Sequence, residues 1–213
     1  MEASIEHPII SLSLSDLRDS FALKRDRSDS FFKQWLAEAE QLSDFEQQAL
    51  ARLNRNYENI TETNPLEEVV KLVVFAPLLD LAGFYQSPFS IRTEVSTLVA
   101  TDAGQTFTGK IDILVIKQHL WILVIESKQS RFDVTSGIPQ ALSYMLSQPL
   151  SVQSTIDINR FGMVTNGREV VFLKLNPQQP PVYAQSGVYQ VIDVKEDLAR
   201  ILQGLKSIGK RLL

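Results

Sequence analysis

The chain has 213 residues, 44% of them hydrophobic and 22% charged, with a formal net charge of −4; it can bury one substantial core, and it is no generic polycation, although a local basic cleft can still hold phosphate. It has no cysteine and only two histidines, His7 and His119, which excludes thiolate catalysis, disulfides, most structural zinc sites and Ser-His-Asp triads. The N-terminus lacks a basic-then-apolar leader, and no apolar run approaches the roughly 20 residues needed to cross a bilayer, so a soluble cytoplasmic protein is expected, with its chemistry left to carboxylates, lysine and hydroxyls.

Residues 14–60 read as helix. Ser15 and Asp16 can cap a short segment, and Ser28 or Asp29 a longer one in which Phe32, Trp35, Leu36, Leu42, Phe45, Leu50 and Leu53 recur at roughly helical spacing. That pattern predicts an amphipathic hairpin packed on the core. A DNA-contacting arm would rest on Lys24, Arg25 and Arg27, and an assembly role would expose an apolar face along Phe32, Trp35 and Leu36. Asn64 and Pro65 then signal the start of a helix over about 65–82, with Gly83 as its stop. Its Leu66, Val69, Val70, Val73, Ala76, Leu79 and Leu81 make it more apolar than a surface helix requires. Glu67 and Glu68 in its first turn are accounted for by the helix dipole alone.

From Phe89 to Ala100 polar and β-branched residues alternate, as in a half-covered strand. Two strands follow, at about 110–117 and 120–128, apolar on both faces as in central strands covered by helices on each side. A second helix runs from Thr135 or Ile138 to Leu150. After it come a strand at 160–165, the hairpin signal Asn166-Gly167, a returning strand at 169–175 and the connector Asn176 to Pro181. A short strand at 188–194 and a final helix at 195–212 close the chain.

The chemistry gathers between Gly109 and Tyr144. Asp112 stands inside Lys-Ile-Asp-Ile-Leu-Val-Ile, and Glu126 with Lys128 closes Leu-Trp-Ile-Leu-Val-Ile-Glu-Ser-Lys. Charges in such runs are costly unless paired or metal-bound. With a tight two-residue turn at Gln118-His119, Asp112 opposes Ile125 and the two carboxylates point to different faces. A three-residue turn, or a β-bulge, sets Asp112 against Glu126 with Cβ atoms about 4.5–5.5 Å apart. This second register is expected, because the pair, with Lys128 one pleat further on, then forms an all-oxygen cation site suited to Mg²⁺ or Mn²⁺ and to metal-assisted hydrolysis of a phosphodiester. The competing reading is an Asp–Lys–Glu ion network that merely ties strand ends together. Gln140 and Tyr144, one helical turn apart, share a face.

Taken in order, a helix with a glutamate, a strand, a strand with Asp112, a strand ending Glu126-Ser127-Lys128, a helix with Gln140-Ala141-Leu142-Ser143-Tyr144 and a further strand span about 64–175. This order resembles the PD-(D/E)XK nuclease superfamily, and within it the N-terminal nuclease domain of type I restriction enzyme R subunits, with its Gln-x-x-x-Tyr signature. The resemblance implies an α/β fold: a restriction-endonuclease-like αβββαβ core with a mixed central sheet flanked by helices. An N-terminal helical extension (1–60), the nuclease-like core (61–178) and a C-terminal strand and helix (179–213) would form a single globular unit. It implies catalytic roles for Asp112, Glu126 and Lys128, and Mg²⁺ or Mn²⁺ ligation by Asp112, Glu126, the Ser127 carbonyl and Glu68, with Glu67 left as the alternative to Glu68. Gln140 and Tyr144 would contact the DNA backbone or support the site. Ile111 stands where the family name has proline. Glu94 would support the site from a distance, unless pairing with Arg92 on a polar face keeps it in solvent.

The implied activity is Mg²⁺-dependent endonucleolytic hydrolysis of DNA, without a helicase motor because no nucleotide-binding motif is present, by a homodimer or with a partner subunit of a restriction-type system. A non-catalytic nuclease-fold module that binds nucleic acid or a partner protein is the alternative.

Overall fold

The computed structural model describes residues 6–28, 31–62, 66–100, 106–117, 120–127, 133–147, 159–191 and 195–211. Within them, nine strands form one mixed sheet: β1 (Glu6–Pro8), β2 (Lys24–Arg25), β3 (Phe89–Ala100), β4 (Thr106–Lys117), β5 (Leu120–Ser127), β6 (Arg160–Thr165), β7 (Glu169–Asn176), β8 (Val182–Gln185) and β9 (Tyr189–Gln190). The sheet runs β4-β5-β6-β7-β8-β2, with β1 and β3 joined to β4 and β9 joined to β7. The helices are α1 (Leu14–Phe21), α2 (Phe31–Ala37), α3 (Asp44–Thr61), α4 (Glu67–Val70), α5 (Ala76–Leu81), α6 (Ile138–Ser147) and α7 (Lys195–Arg211). A π-helical turn, Lys71–Phe75, joins α4 to α5.

Helices cover both faces. Beneath α2, α3, α4, α5 and α7 lies one apolar layer, with Trp35, Tyr57, Val74, Phe75, Phe161 and Phe172; beneath α1 and α6 lies the other, with Leu17, Ile111, Leu142, Tyr144, Val164 and Val171. Strand β7 shows why its sequence is apolar throughout. Val170 and Phe172 enter the first layer while Val171 and Leu173 enter the second, as period-2 side chains on a doubly covered strand must.

Residues 14–60 are helical only in part. After α1 the chain turns at Ala22, whose backbone is left-handed with φ of 52°, and then forms β2, which pairs in parallel with β8. The α1 cap is Ser13, in a capping box with Asp16, rather than Ser15. Ser43 and Glu46 repeat the device at α3. Strands β1 and β8 were not expected either, and the strand expected at 188–194 is confined to Tyr189–Gln190 among the described residues. Each missed strand is only two to four residues long, too short to show a period; β1 and β2 pair with distant strands, whereas β8 returns on its neighbour β7 across the connector at 176–181. Asp29, Asn64 and Pro65 lie outside the described residues.

One edge of β4 is fully taken by β3, from Ala100↔Thr106 to Phe89↔Lys117. A strand has two edges, so β1, which pairs with Thr106–Thr108, and β5, which pairs with Ile113–Lys117, must share the other. Residues 109–112 therefore face a gap between β1 and β5, with no strand partner there among the described residues. Asp112 stands at the end of that gap.

Phe32 and Trp35 do not form an exposed assembly face; they are 6% and 2% exposed. Trp35 packs edge-on to Phe172 at 5.2 Å and meets Gly204 of α7. Truncating Trp35→Ala should lower the unfolding free energy by about 3–5 kcal/mol, while Phe45→Ser, at a 73% exposed position, should change it by no more than about 0.5 kcal/mol. Chemical denaturation of both variants checks this, and similar costs would contradict the packing described.

Candidate functional site

The β4–β5 hairpin starts in the two-residue register, with Lys117↔Leu120 and Ile116↔Trp121, and then slips by one, to Val115↔Leu123, Leu114↔Val124 and Ile113↔Ile125. Ile122 is the extra residue, a β-bulge. Its effect reaches down the strand. Had the first register continued, Asp112 would have stood against Ile125; after the slip, the position opposite Asp112 belongs to Glu126, immediately beyond the last ladder pair. On its other side β5 continues to pair with β6, Glu126 beside Val164 and Ser127 beside Thr165. Glu126 is 2% exposed. Gln118 and His119 of the turn, and Lys128 beyond the strand, lie outside the described residues.

The pleat of β4 changes at Asp112. Ile111 packs in the layer under α6, whereas Ile113 packs in the opposite layer; a regular strand would send both to one face. Across the β3–β4 ladder, the residue facing this point is Glu94, between the pairs Thr93↔Ile113 and Val95↔Ile111, and its backbone is left-handed with φ of 53°. A non-glycine residue there is strained. The irregularity lets Asp112 address both helical layers.

From the first layer comes Lys71, the opening residue of the π turn, whose Nζ donates to Asp112 Oδ1 at 3.2 Å. The two side chains are 20% and 17% exposed, so the pair is shielded more than a surface salt bridge. From the second layer comes Tyr144. Its hydroxyl donates to the Lys110 carbonyl at 2.8 Å and accepts from Gln140 Nε2 at 2.8 Å, which fills the gap between β1 and β5 with a side-chain hydrogen bond where no strand pairs. Burial pushes the Tyr144 phenol above the ordinary tyrosine range; the Gln140 hydrogen bond opposes the rise, and the nearby Glu126 and Asp112 carboxylates add to it. Both carboxylates thus act on one hydroxyl.

Gly109 makes this approach possible. A Cβ there would fall 2.7 Å from the Tyr144 hydroxyl and 3.0 Å from Ile9 Cδ1. Arg160, at the start of β6, secures the far end of the same helix, where its Nη1 donates to the Met145 carbonyl and, at 3.4 Å, to that of Leu146. Burial pushes the Arg160 guanidinium down to about 10, still charged at neutral pH.

Of the residues singled out in the sequence, the structure gathers Asp112, Glu126, Tyr144 and Gln140. Glu68 is exposed, and the first-helix residue that reaches Asp112 is Lys71. Glu94 is also exposed and pairs with Lys110 at 3.7 Å, not with Arg92. The side chains of Glu67 and Ser127 lie outside the described structure. Among the described residues, no group of three or more His, Asp or Glu side chains comes together. Lys71, Gly109 and Arg160 were missed. Lys71 carried a usable signal, a cation in an apolar helical run of the same kind that drew attention to Asp112; Gly109 and Arg160 carried none, since their roles depend on α6. Chemically, the corner offers two carboxylates, an ammonium and a phenol held against a strand carbonyl.

The Gly109–Tyr144 contact is open to a double-mutant test. Gly109→Ala should cost about 1–3 kcal/mol of stability and Tyr144→Phe about 0.5–1.5 kcal/mol. The double variant should cost clearly less than the sum, because the phenylalanine lacks the oxygen that the new methyl meets. Costs that add within about 0.5 kcal/mol would show that the two positions are independent.

The family described as type I restriction enzyme R protein N terminus matches residues 13–180. Among solved structures the chain is similar to a fragment described as an HsdR subunit of a type I restriction enzyme from Vibrio vulnificus YJ016, with a TM-score of 0.40 and 19% identity. That similarity covers 66% of this chain and 26% of the other, so the chain spans about a quarter of that structure's length. None of the curated proteins matches. With most of its length, including Asp112, Glu126 and Tyr144, inside the matched region, the chain belongs to the family of type I restriction enzyme R protein N-terminal domains.

Proposed function

We propose that this chain is a metal-dependent nuclease module that hydrolyses DNA phosphodiester bonds at the corner between β4 and β5. The observation that carries the reading is the slipped register, which sets Asp112 opposite Glu126 where their ladder ends. A regular hairpin needs no such bulge, and pairing two carboxylates without a cation is unfavourable. The resemblance to the PD-(D/E)XK superfamily and the family membership point the same way.

The donor set fits Mg²⁺ or Mn²⁺. Asp112 and Glu126 supply hard oxygen ligands, and the Lys71 ammonium 3.2 Å from Asp112 is itself a sign that positive charge is favoured there. Asp112, Glu126 and the Ser127 carbonyl would hold the ion, which when bound supplies Lewis-acid polarisation of the scissile phosphate and a more acidic water; Glu68 would join them only by turning in from its exposed position. Lys128 would orient the attacking water and offset developing negative charge. Gln140 and Tyr144 fix the Lys110 carbonyl, and with it the strand that presents Asp112. The exposed position of Glu68 favours a second reading, a nuclease-fold module that binds nucleic acid without cutting.

Supercoiled plasmid should be nicked by the wild type with Mg²⁺ or Mn²⁺ and not with EDTA, and Asp112→Asn or Lys128→Ala should lower the rate by about 100-fold or more. Equal inertness of wild type and variants in either metal, with DNA binding retained, would establish the binding module instead. A second measurement isolates the metal. Lys71→Met removes the ammonium that competes for Asp112, so Mn²⁺ titration followed by electron paramagnetic resonance should show several-fold tighter binding. Unchanged affinity would place the ion away from Asp112.

A further inference from the structure

At the opposite edge of the sheet the chain builds a concentration of positive charge. Strand β2 pairs with β8 so that Arg25 lies beside Tyr183, and the turn at Ala22 folds α1 back over this edge. Arg18 from α1, Arg25 from β2 and Arg27 just beyond it line a cavity of about 150 Å³ together with Tyr183, Leu14 and Leu23. The three arginines are exposed, and Tyr183 is 5% exposed. Burial raises the Tyr183 phenol, and the charges acting on it are Arg25, Arg18 and Arg27, all of which pull it down.

No salt bridge joins any of these arginines to an acid among the described residues. At α7, by contrast, Lys206 pairs with Glu46, Lys210 with Glu40 and Arg211 with Glu38. The acids on the same segments are turned elsewhere: Asp16 accepts from Ser13 and Asp26 from Ser28, and Asp19, next to Arg18, projects from a different side of α1. Charge on β2 alone would serve to discourage edge-to-edge pairing. That purpose does not call for Arg18 to converge from a helix, nor for a cavity with a buried phenol in its wall.

We infer that the Arg18–Arg25–Arg27–Tyr183 notch binds a backbone phosphate of nucleic acid. Guanidinium forks match phosphate oxygens and tyrosine hydroxyls donate to them, and a cluster of three cations in a chain of net charge −4 is a local attractor for a polyanion. Four strand spacings, β5 to β6 to β7 to β8 to β2, separate the notch from Glu126, roughly 19 Å at about 4.8 Å each, so the notch stands apart from the proposed cleavage corner. The choice of nucleic acid as the polyanion rests on the nuclease reading above.

Fluorescence anisotropy of the full chain with a labelled duplex in EDTA tests the inference. The slope of log K against log salt should fall by about 1 in the Arg18→Gln/Arg25→Gln/Arg27→Gln variant, at roughly 0.9 for the one phosphate no longer neutralised, and by no more than that in each single variant. At moderate salt the triple variant should bind about tenfold or more weakly, with an unchanged thermal unfolding midpoint. Unchanged affinity and slope in the single and triple variants overturn the proposal. So does displacement of the duplex by polyglutamate of equal charge as readily as by unlabelled duplex, which would make the notch a general anion surface. Plasmid nicking read in parallel separates the two ideas: if the wild type never nicks but the notch variants still lose duplex affinity, the nuclease reading fails and the notch stands.

Discussion

A carboxylate in a sheet interior is costly, and two of them brought to one point are costlier, since each raises the electrostatic energy of the other. Much of the local structure around Asp112 and Glu126 follows from that constraint. The bulge at Ile122 sets them opposite each other, the change of pleat at Asp112 opens it to two layers, and the π turn delivers Lys71 as a counter-charge. π turns and β-bulges each interrupt a regular hydrogen-bond ladder and are enriched at functional sites. Here one of each serves the same pair of carboxylates.

The second helical layer answers a different demand. Between β1 and β5 the edge of β4 has no strand partner among the described residues, and a backbone carbonyl there needs another donor. Tyr144 meets that need at Lys110, Gln140 holds the hydroxyl, and Arg160 ties down the last carbonyls of the helix that carries both. The Gln-x-x-x-Tyr spacing is therefore intelligible in this chain as a strand-edge repair: one helical turn is the separation that lets the amide reach the phenol while the phenol reaches the strand.

What was legible in the sequence was what local periodicity encodes. Strand β3 begins at Phe89 and ends at Ala100, as its alternation indicates, and Asn166-Gly167 marks the β6–β7 hairpin, with Gly167 at φ of 84°. The requirement that Asp112 and Glu126 share a register was readable from the cost of burying charge, though a bulge and a longer turn could not be told apart. The short strands β1 and β2 were illegible because their partners lie far along the chain, and β8 because four residues beyond a proline-rich connector show no period. Lys71 stood out as a cation in an apolar run, but that it, rather than Glu68, reaches Asp112 was illegible for another reason. A helical wheel drawn at 3.6 residues per turn cannot be carried through a π turn, where each extra residue rotates the faces that follow or precede it.

The sharing of one β4 edge by β1 and β5 also has a consequence for how the molecule assembles. The β5 half closes through a short hairpin, but the β1 half joins Glu6 to Thr106, with nearly half the chain lying between them, and the strand at the other end of the sheet, β2, is likewise an N-terminal piece paired with a C-terminal one. Contacts of such sequence separation carry the larger loop-closure entropy and form after the local hairpins. Ile9, which packs against Gly109 beside Tyr144, arrives with β1. The corner that holds Asp112 is thus completed by residues about a hundred positions upstream of it, and only once the middle of the chain has folded to receive them.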